Sequence, residues 1–218
     1  MVKKMALLFL FFFLPRVGWA EDPTYSVRLL THFGKKVNDN GFGVGGWLIF
    51  PDVTQNPSMP LFLIGPRYQG KGYWVEVMAG PKINKAALAV NPDADPIAWV
   101  QSTRFQITPM AIGKPVNVFG NVQFIDITNE GNMVPYFFLA TGYVLPKQAA
   151  VIGLESENYF NLPPGGTDQF HDISIGPHVA IPFKGLNVIM AYQVHLHENV
   201  GDQVWVRAMY NFPGPLAK

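Results

Sequence analysis

Polar and apolar residues alternate along much of this chain, most cleanly over Gln203–Phe212. Val204, Val206, Ala208, Tyr210 and Phe212 fall on one face of a strand there, and Gln203, Trp205, Arg207, Met209 and Asn211 on the other, because successive strand side chains point to opposite sides. Its ten residues match the length of a tilted strand that crosses a bilayer. The same period recurs upstream. Tyr25, Val27, Leu29, Thr31 and Phe33 alternate with Ser26, Arg28, Leu30 and His32. Leu61–Gln69 and Tyr73–Lys82 predict a hairpin about Gly70-Lys71-Gly72, with Trp74, Glu76, Met78 and Gly80 on one face of its second arm. Ile97–Thr108 carries Arg104 and Gln106 on one side, and Val116–Ile127 carries Asn117, Asn121 and Gln123. Ile173, Ile175, Val179 and Ile181 oppose Asp172, Ser174, Gly176 and His178. Val188, Met190, Tyr192, Val194 and Leu196 oppose Asn187, Ala191, Gln193, His195 and His197. Val134–Leu145 and Ala149–Ser156 are apolar on both faces, so periodicity leaves them unoriented.

Runs of this length, punctuated by Gly, Pro, Asn and Asp, predict an all-β chain. With Phe42–Phe50 there are eleven candidate strands. The connectors at 182–186, 145–148, 109–115 and 70–72 would lie at one end, and the longer ones at 198–202, 160–168, 129–133, 85–96 and 51–60 at the other. Short turns at one rim and long loops at the other suit a transmembrane barrel. The expectation is an antiparallel up-and-down transmembrane β-barrel of about ten strands, within a range of eight to twelve, because such barrels usually close with an even number. Residues 24–33 are then either a further strand or a lead-in.

The aromatic close of Gln203–Phe212, with Tyr210 two places before Phe212, resembles the C-terminal assembly signal of bacterial outer-membrane β-barrel proteins. In that family the signal ends the chain, whereas residues 213–218 follow here. The resemblance implies a small porin-like barrel, with outer-membrane lipid and the barrel-assembly machinery as partners and other envelope proteins as candidates. The first twenty residues fit an export signal: Lys3 and Lys4, then an apolar run over Ala6–Leu14, then Gly18-Trp19-Ala20 before Glu21. The domain reading is therefore a signal peptide at 1–20, one barrel at 21–212 and an extension at 213–218. Removing residues 1–20 leaves 13 basic against 15 acidic side chains, so no basic footprint for nucleic acid remains. Without cysteine the chain has neither disulfides nor thiolate metal sites.

No P-loop, nucleophile elbow, H-E-x-x-H or dinucleotide fingerprint occurs, and no cofactor or metal is expected. The one catalytic candidate is a histidine group near the long-loop rim: His171 and Asp172 opening one strand, His195 and His197 closing the next. Some lipid-trimming outer-membrane barrels are similar in setting a catalytic His at an outer strand end. Their Ser two places on is His197 here, so the nucleophile is missing and solvated rim groups are the simpler reading. Arg28, Glu76, Arg104 and Arg207 fall on the lumen face, where charges pair across a narrow barrel or line a wider one. Arg207 with Glu76 is the expected pair. Tyr210 and Phe212 carry the assembly signal. Three Gly-Pro-cation triplets, at Gly65-Pro66-Arg67, Gly80-Pro81-Lys82 and Gly176-Pro177-His178, suggest bulges, bends or strand ends. The reading is a structural or narrow-pore barrel of the bacterial outer membrane. Its alternatives are an outer-leaflet lipid hydrolase or an exported soluble barrel holding an apolar ligand.

Overall fold

The computed structural model describes residues 24–54, 60–83, 97–125, 134–160, 171–196 and 201–212. They form eleven strands closed into one barrel. In chain order these are β1 (Thr24–Lys36), β2 (Phe42–Phe50), β3 (Leu61–Gly70), β4 (Tyr73–Ile83), β5 (Ile97–Ile107), β6 (Val116–Ile125), β7 (Val134–Val144), β8 (Val151–Phe160), β9 (His171–Phe183), β10 (Leu186–His195) and β11 (Gln203–Phe212). A four-residue helix, α1 (Pro109–Ile112), joins β5 to β6. The export segment and the C-terminal extension lie outside the described residues.

Two expectations are corrected. The strand number is eleven, not about ten, and the sheet is not wholly antiparallel. Of the two readings of residues 24–33, the further strand is the one found: β1 closes the barrel, running parallel to β11 from Thr24↔Gln203 to Phe33↔Phe212. The two facts have one cause. In an up-and-down ring the last strand of an odd set runs the same way as the first, so the closing pair must be parallel. Every other neighbouring pair is antiparallel. It follows that Thr24 starts at the rim of the long connectors and Phe212 ends at the rim of the short turns.

At the turn rim, Lys184 and Gly185 both take positive φ, 44° and 88°, which gives the two-residue turn whose twist matches its flanking strands. The Gly-Pro-cation triplets turn out not to be bulges: the pairing stays in phase through each of them. Their prolines point outward. Their glycines face the lumen where a Cβ would overlap a neighbouring strand's carbonyl, that of Val77, Phe62 or Tyr192. Glycine is thus required for close backbone approach as the sheet curls.

The two faces of the wall differ sharply. Outward, aliphatic residues fill the middle: Leu29, Ile64, Val77, Leu139, Leu154 and Ile175 are all exposed. Aromatics ring both ends, with Phe42, Tyr68, Tyr73, Tyr143 and Phe183 at the turn rim and Tyr25, Phe62 and Trp99 at the loop rim. Among the described strand residues, the one Lys, Arg, Asp or Glu on the outward face is Lys35, at the turn-rim end of β1. Inward, part of the space is an apolar core of Trp47, Leu63, Trp74, Met78 and Val100. This explains why β7 reads as apolar on both sides: Phe137 and Leu139 point out, while Tyr136 and Phe138 point into a lumen that is itself partly apolar.

Candidate functional site

The lumen gathers most of the strands' charge, and strand pairing dictates how. One row of side-by-side residues runs Arg67, Glu76, Arg104, Asn121, Phe138, Glu157, Ser174, His195 from β3 round to β10. A second adjacency lies at the closing seam, where the parallel register sets Arg28 beside Arg207. Like charges side by side repel, so the seam needs carboxylates from elsewhere.

They come from β8. Arg28 meets Glu157 at 2.7 Å, and Arg207 meets Glu155 at 2.6 Å and Glu157 at 3.5 Å. The tyrosine hydroxyls of Tyr136 and Tyr159 each donate to Glu157 at 3.0 Å, and Gln193 donates to Glu155 at 2.7 Å. His178 approaches Glu155 at 3.6 Å. The Arg28 guanidinium also lies 3.6 Å above the Trp205 ring. Both carboxylates are buried, so the charges stand in a low-dielectric interior where pairing is strong and a missing partner costly.

A second cluster surrounds Glu76, which is fully enclosed. Arg67 bonds to it from the paired position on β3. His32 Nε2 lies 2.9 Å from its Oε1, and Trp47 Nε1 donates to its Oε2 at 2.8 Å. His32 stacks on Trp47 and Trp74 with ring centres 4.3 and 5.3 Å apart, and its Nδ1 lies 3.1 Å from Asn211 Oδ1. The expected partnership of Arg207 with Glu76 therefore does not form. Each has a nearer counter-charge, one of them imposed by the β3–β4 hairpin register.

Arg104 is different. Its Nε donates to Ser102 Oγ at 3.1 Å, and Ser102 donates onward to Asn121 at 2.9 Å. Its guanidinium lies 4.4 Å above the Trp47 ring. No carboxylate lies within ion-pair distance among the described residues. It borders a lumen cavity of about 560 Å³.

Of the histidine group, the structure brings together His195 and Asp172, 2.7 Å apart across β10 and β9. The other ring nitrogen of His195 is buried and has no hydrogen-bond partner among the described residues. Ser174 stands opposite His195, but its hydroxyl donates to the Glu157 carbonyl at 2.9 Å. His171 enters as the first residue of β9, and His197 lies outside the described residues. Tyr210 and Phe212 sit exposed on the outward face of β11, with ring centres 4.9 Å apart.

Sequence reasoning missed Glu155 and Glu157, because β8 starts as Val-Ile-Gly-Leu and then turns polar on both faces, with Ser156 and Asn158 opposite the two glutamates. It saw Arg67 only as part of a Gly-Pro triplet, and set His178 on the polar face of its strand without naming a partner. The Arg67–Glu76 pair was within reach: a two-residue turn after Gly70 sets Arg67 opposite Glu76 by counting outward from the turn.

Comparison of the chain with protein-family models, with curated proteins and with solved structures finds no match to any of them.

Proposed function

We propose that this chain is an integral membrane β-barrel of the bacterial outer membrane, with a structural or narrow-pore role and a lumen plugged by its own ion pairs. The observation that carries this is the split between the two faces. A soluble barrel turns its charges to water; here they point inward, while an aliphatic band between two aromatic rings points outward. Lipid rewards that arrangement, with aromatic side chains favoured at both interfaces. Strands of 9 to 13 residues are long enough to span when tilted. The parallel seam puts residue 24 and residue 212 at opposite rims, so with the C-terminal rim periplasmic the first strand begins on the outer side. The lipid-hydrolase reading retains one supporting observation, the His195–Asp172 pair, whose second ring nitrogen has no partner among the described residues. It lacks a described hydroxyl bonded to that nitrogen.

The test is extraction and gel mobility. The expressed protein should stay with the outer-membrane pellet through alkaline carbonate and urea washes and migrate differently before and after boiling. Release into the wash with no boiling shift would overturn the reading in favour of a soluble barrel. For the second reading, loss of a lipid-deacylation product on His195→Ala would promote the hydrolase.

A further inference from the structure

The lumen holds four arginines against three glutamates among the described residues: Arg28, Arg67, Arg104 and Arg207 with Glu76, Glu155 and Glu157. Three of the four are matched. Arg104 is the remainder, 2 % exposed and lining the cavity, with its Nε on Ser102 and no carboxylate within ion-pair distance among the described residues. A buried cation without an ion-pair partner is costly, and the acid paired with it across the strands, Glu76, is already held by Arg67, His32 and Trp47. The cavity wall is mixed: Gln106, Asn117, Asn121 and Gln123 line it together with an aromatic run. Trp47, Phe119 and Phe138 follow one another at ring separations of 6.2 and 5.8 Å, with Leu30 and Met209 packed alongside. The cavity's volume lies within the roughly 300–1,000 Å³ of small-molecule sites.

We propose that this cavity binds an apolar monocarboxylate, its head on the Arg104 guanidinium and its body against the Trp47, Phe119 and Phe138 rings. The forked guanidinium matches a carboxylate's two oxygens, which an isolated ammonium would not. One unmatched cation calls for one negative charge, and the aromatic walls call for an apolar body rather than inorganic phosphate. The proposal concerns the lumen and goes beyond the membrane reading; it stands whichever membrane holds the barrel. Two sources share this chemistry: a soluble aryl-alkyl acid entering from water, and a fatty acid drawn from the bilayer.

The barrel in lipid nanodiscs is titrated with 4-phenylbutyrate added to the water, and separately with laurate carried in the bilayer. Each acid is paired with its neutral alcohol, and inorganic phosphate is run alone. Trp47 and Trp74, on the cavity wall, report by fluorescence. At least one acid should quench saturably at a concentration tenfold or more below that of its alcohol, with no response to phosphate. The acid that responds identifies the source. Arg104→Met, shown folded by its boiling shift, should erase the preference for acid over alcohol, and Arg104→Lys should weaken it several-fold. The wild-type comparison needs no variant, so misfolding of either substitution leaves the proposal exposed to test. Acids no better than their alcohols, no saturable response, phosphate acting alone, or a folded Arg104→Met that keeps the preference would each overturn it.

Discussion

The closing seam makes the sharpest mechanical demand on this fold, and Glu157→Gln probes it. Arg28 and Arg207 lie side by side in the parallel pair, and the Glu157 carboxylate touches both, at 2.7 and 3.5 Å. Glutamine keeps the volume and a carbonyl to accept the tyrosine hydroxyls, so the change removes little except the charge. Arg207 keeps Glu155 at 2.6 Å; Arg28 keeps only its stacking on Trp205. One buried guanidinium is therefore stranded next to another. Breaking a buried pair by removing one partner costs about 3–5 kcal/mol, and the survival of Arg207–Glu155 puts this case near the lower figure. At a factor of ten per 1.4 kcal/mol, that is about a hundredfold in the folding equilibrium. The assay is denaturant-induced unfolding in lipid vesicles, followed by tryptophan fluorescence. The control is Glu157→Gln with Arg28→Met, which removes both members and should recover at least half of the loss, a coupling of about 1.5–3 kcal/mol. A Glu157→Gln barrel within about 0.5 kcal/mol of wild type, the ordinary effect of an uninvolved site, would refute the claim that β8 neutralises the seam. Strict additivity in the double variant would refute it too.

Three further outcomes follow from the same geometry. Glu76→Ala strands Arg67 beside Arg104 in the lumen, so it should draw in water and raise conductance in planar bilayers, with selectivity for anions; an unchanged or cation-selective conductance would count against the plug. Val27→Cys with Val206→Cys, paired across β1 and β11 in a chain that has no native cysteine, should cross-link readily with a short thiol reagent. Val27→Cys with Tyr210→Cys, four positions further along the strand and hence about 13 Å away, should not; a ten-strand barrel would seat β2 beside β11 and give neither product. Gly176→Ala should prevent folding because the new methyl would overlap the Tyr192 carbonyl oxygen, while Gly113→Ala, in open space at φ 70°, should cost only about 1–2 kcal/mol; equal tolerance of the two would contradict the close approach of β9 and β10.

Much of the wall was legible because the period of two is local. Wherever one face is apolar and the other polar, as on β4, β6 and β11, the residues themselves say which way they point. The strand count was not legible, since closure joins residues from opposite ends of the chain and a parallel seam leaves no turn to mark it. Evenness is a habit of barrels whose closing pair is antiparallel, and nothing in Thr24–Lys36 announces a different partner. The lumen was half legible. Alternation set Arg28, Glu76, Arg104 and Arg207 on the inward face, but which of them pair depends on strand tilt and on reach across the interior. That is how Glu155 and Glu157, hidden behind an apolar strand start, came to hold the seam in place of Glu76. The rim group shows the same limit: the sequence set Asp172 and His195 at neighbouring strand ends, but only the sheet register brings them to 2.7 Å.

The central claim is that the outward face meets lipid and the inward face does not. Single cysteines at Leu139, Leu154 and Ile175 on the outward face, and at Ala140, Ala180 and Ala191 on the inward one, carry a fluorescent label in vesicles that contain a lipid-borne quencher. Strong quenching is expected at the first three positions and weak quenching at the other three. Equal quenching on both faces, or none at Leu139, Leu154 and Ile175, would contradict it.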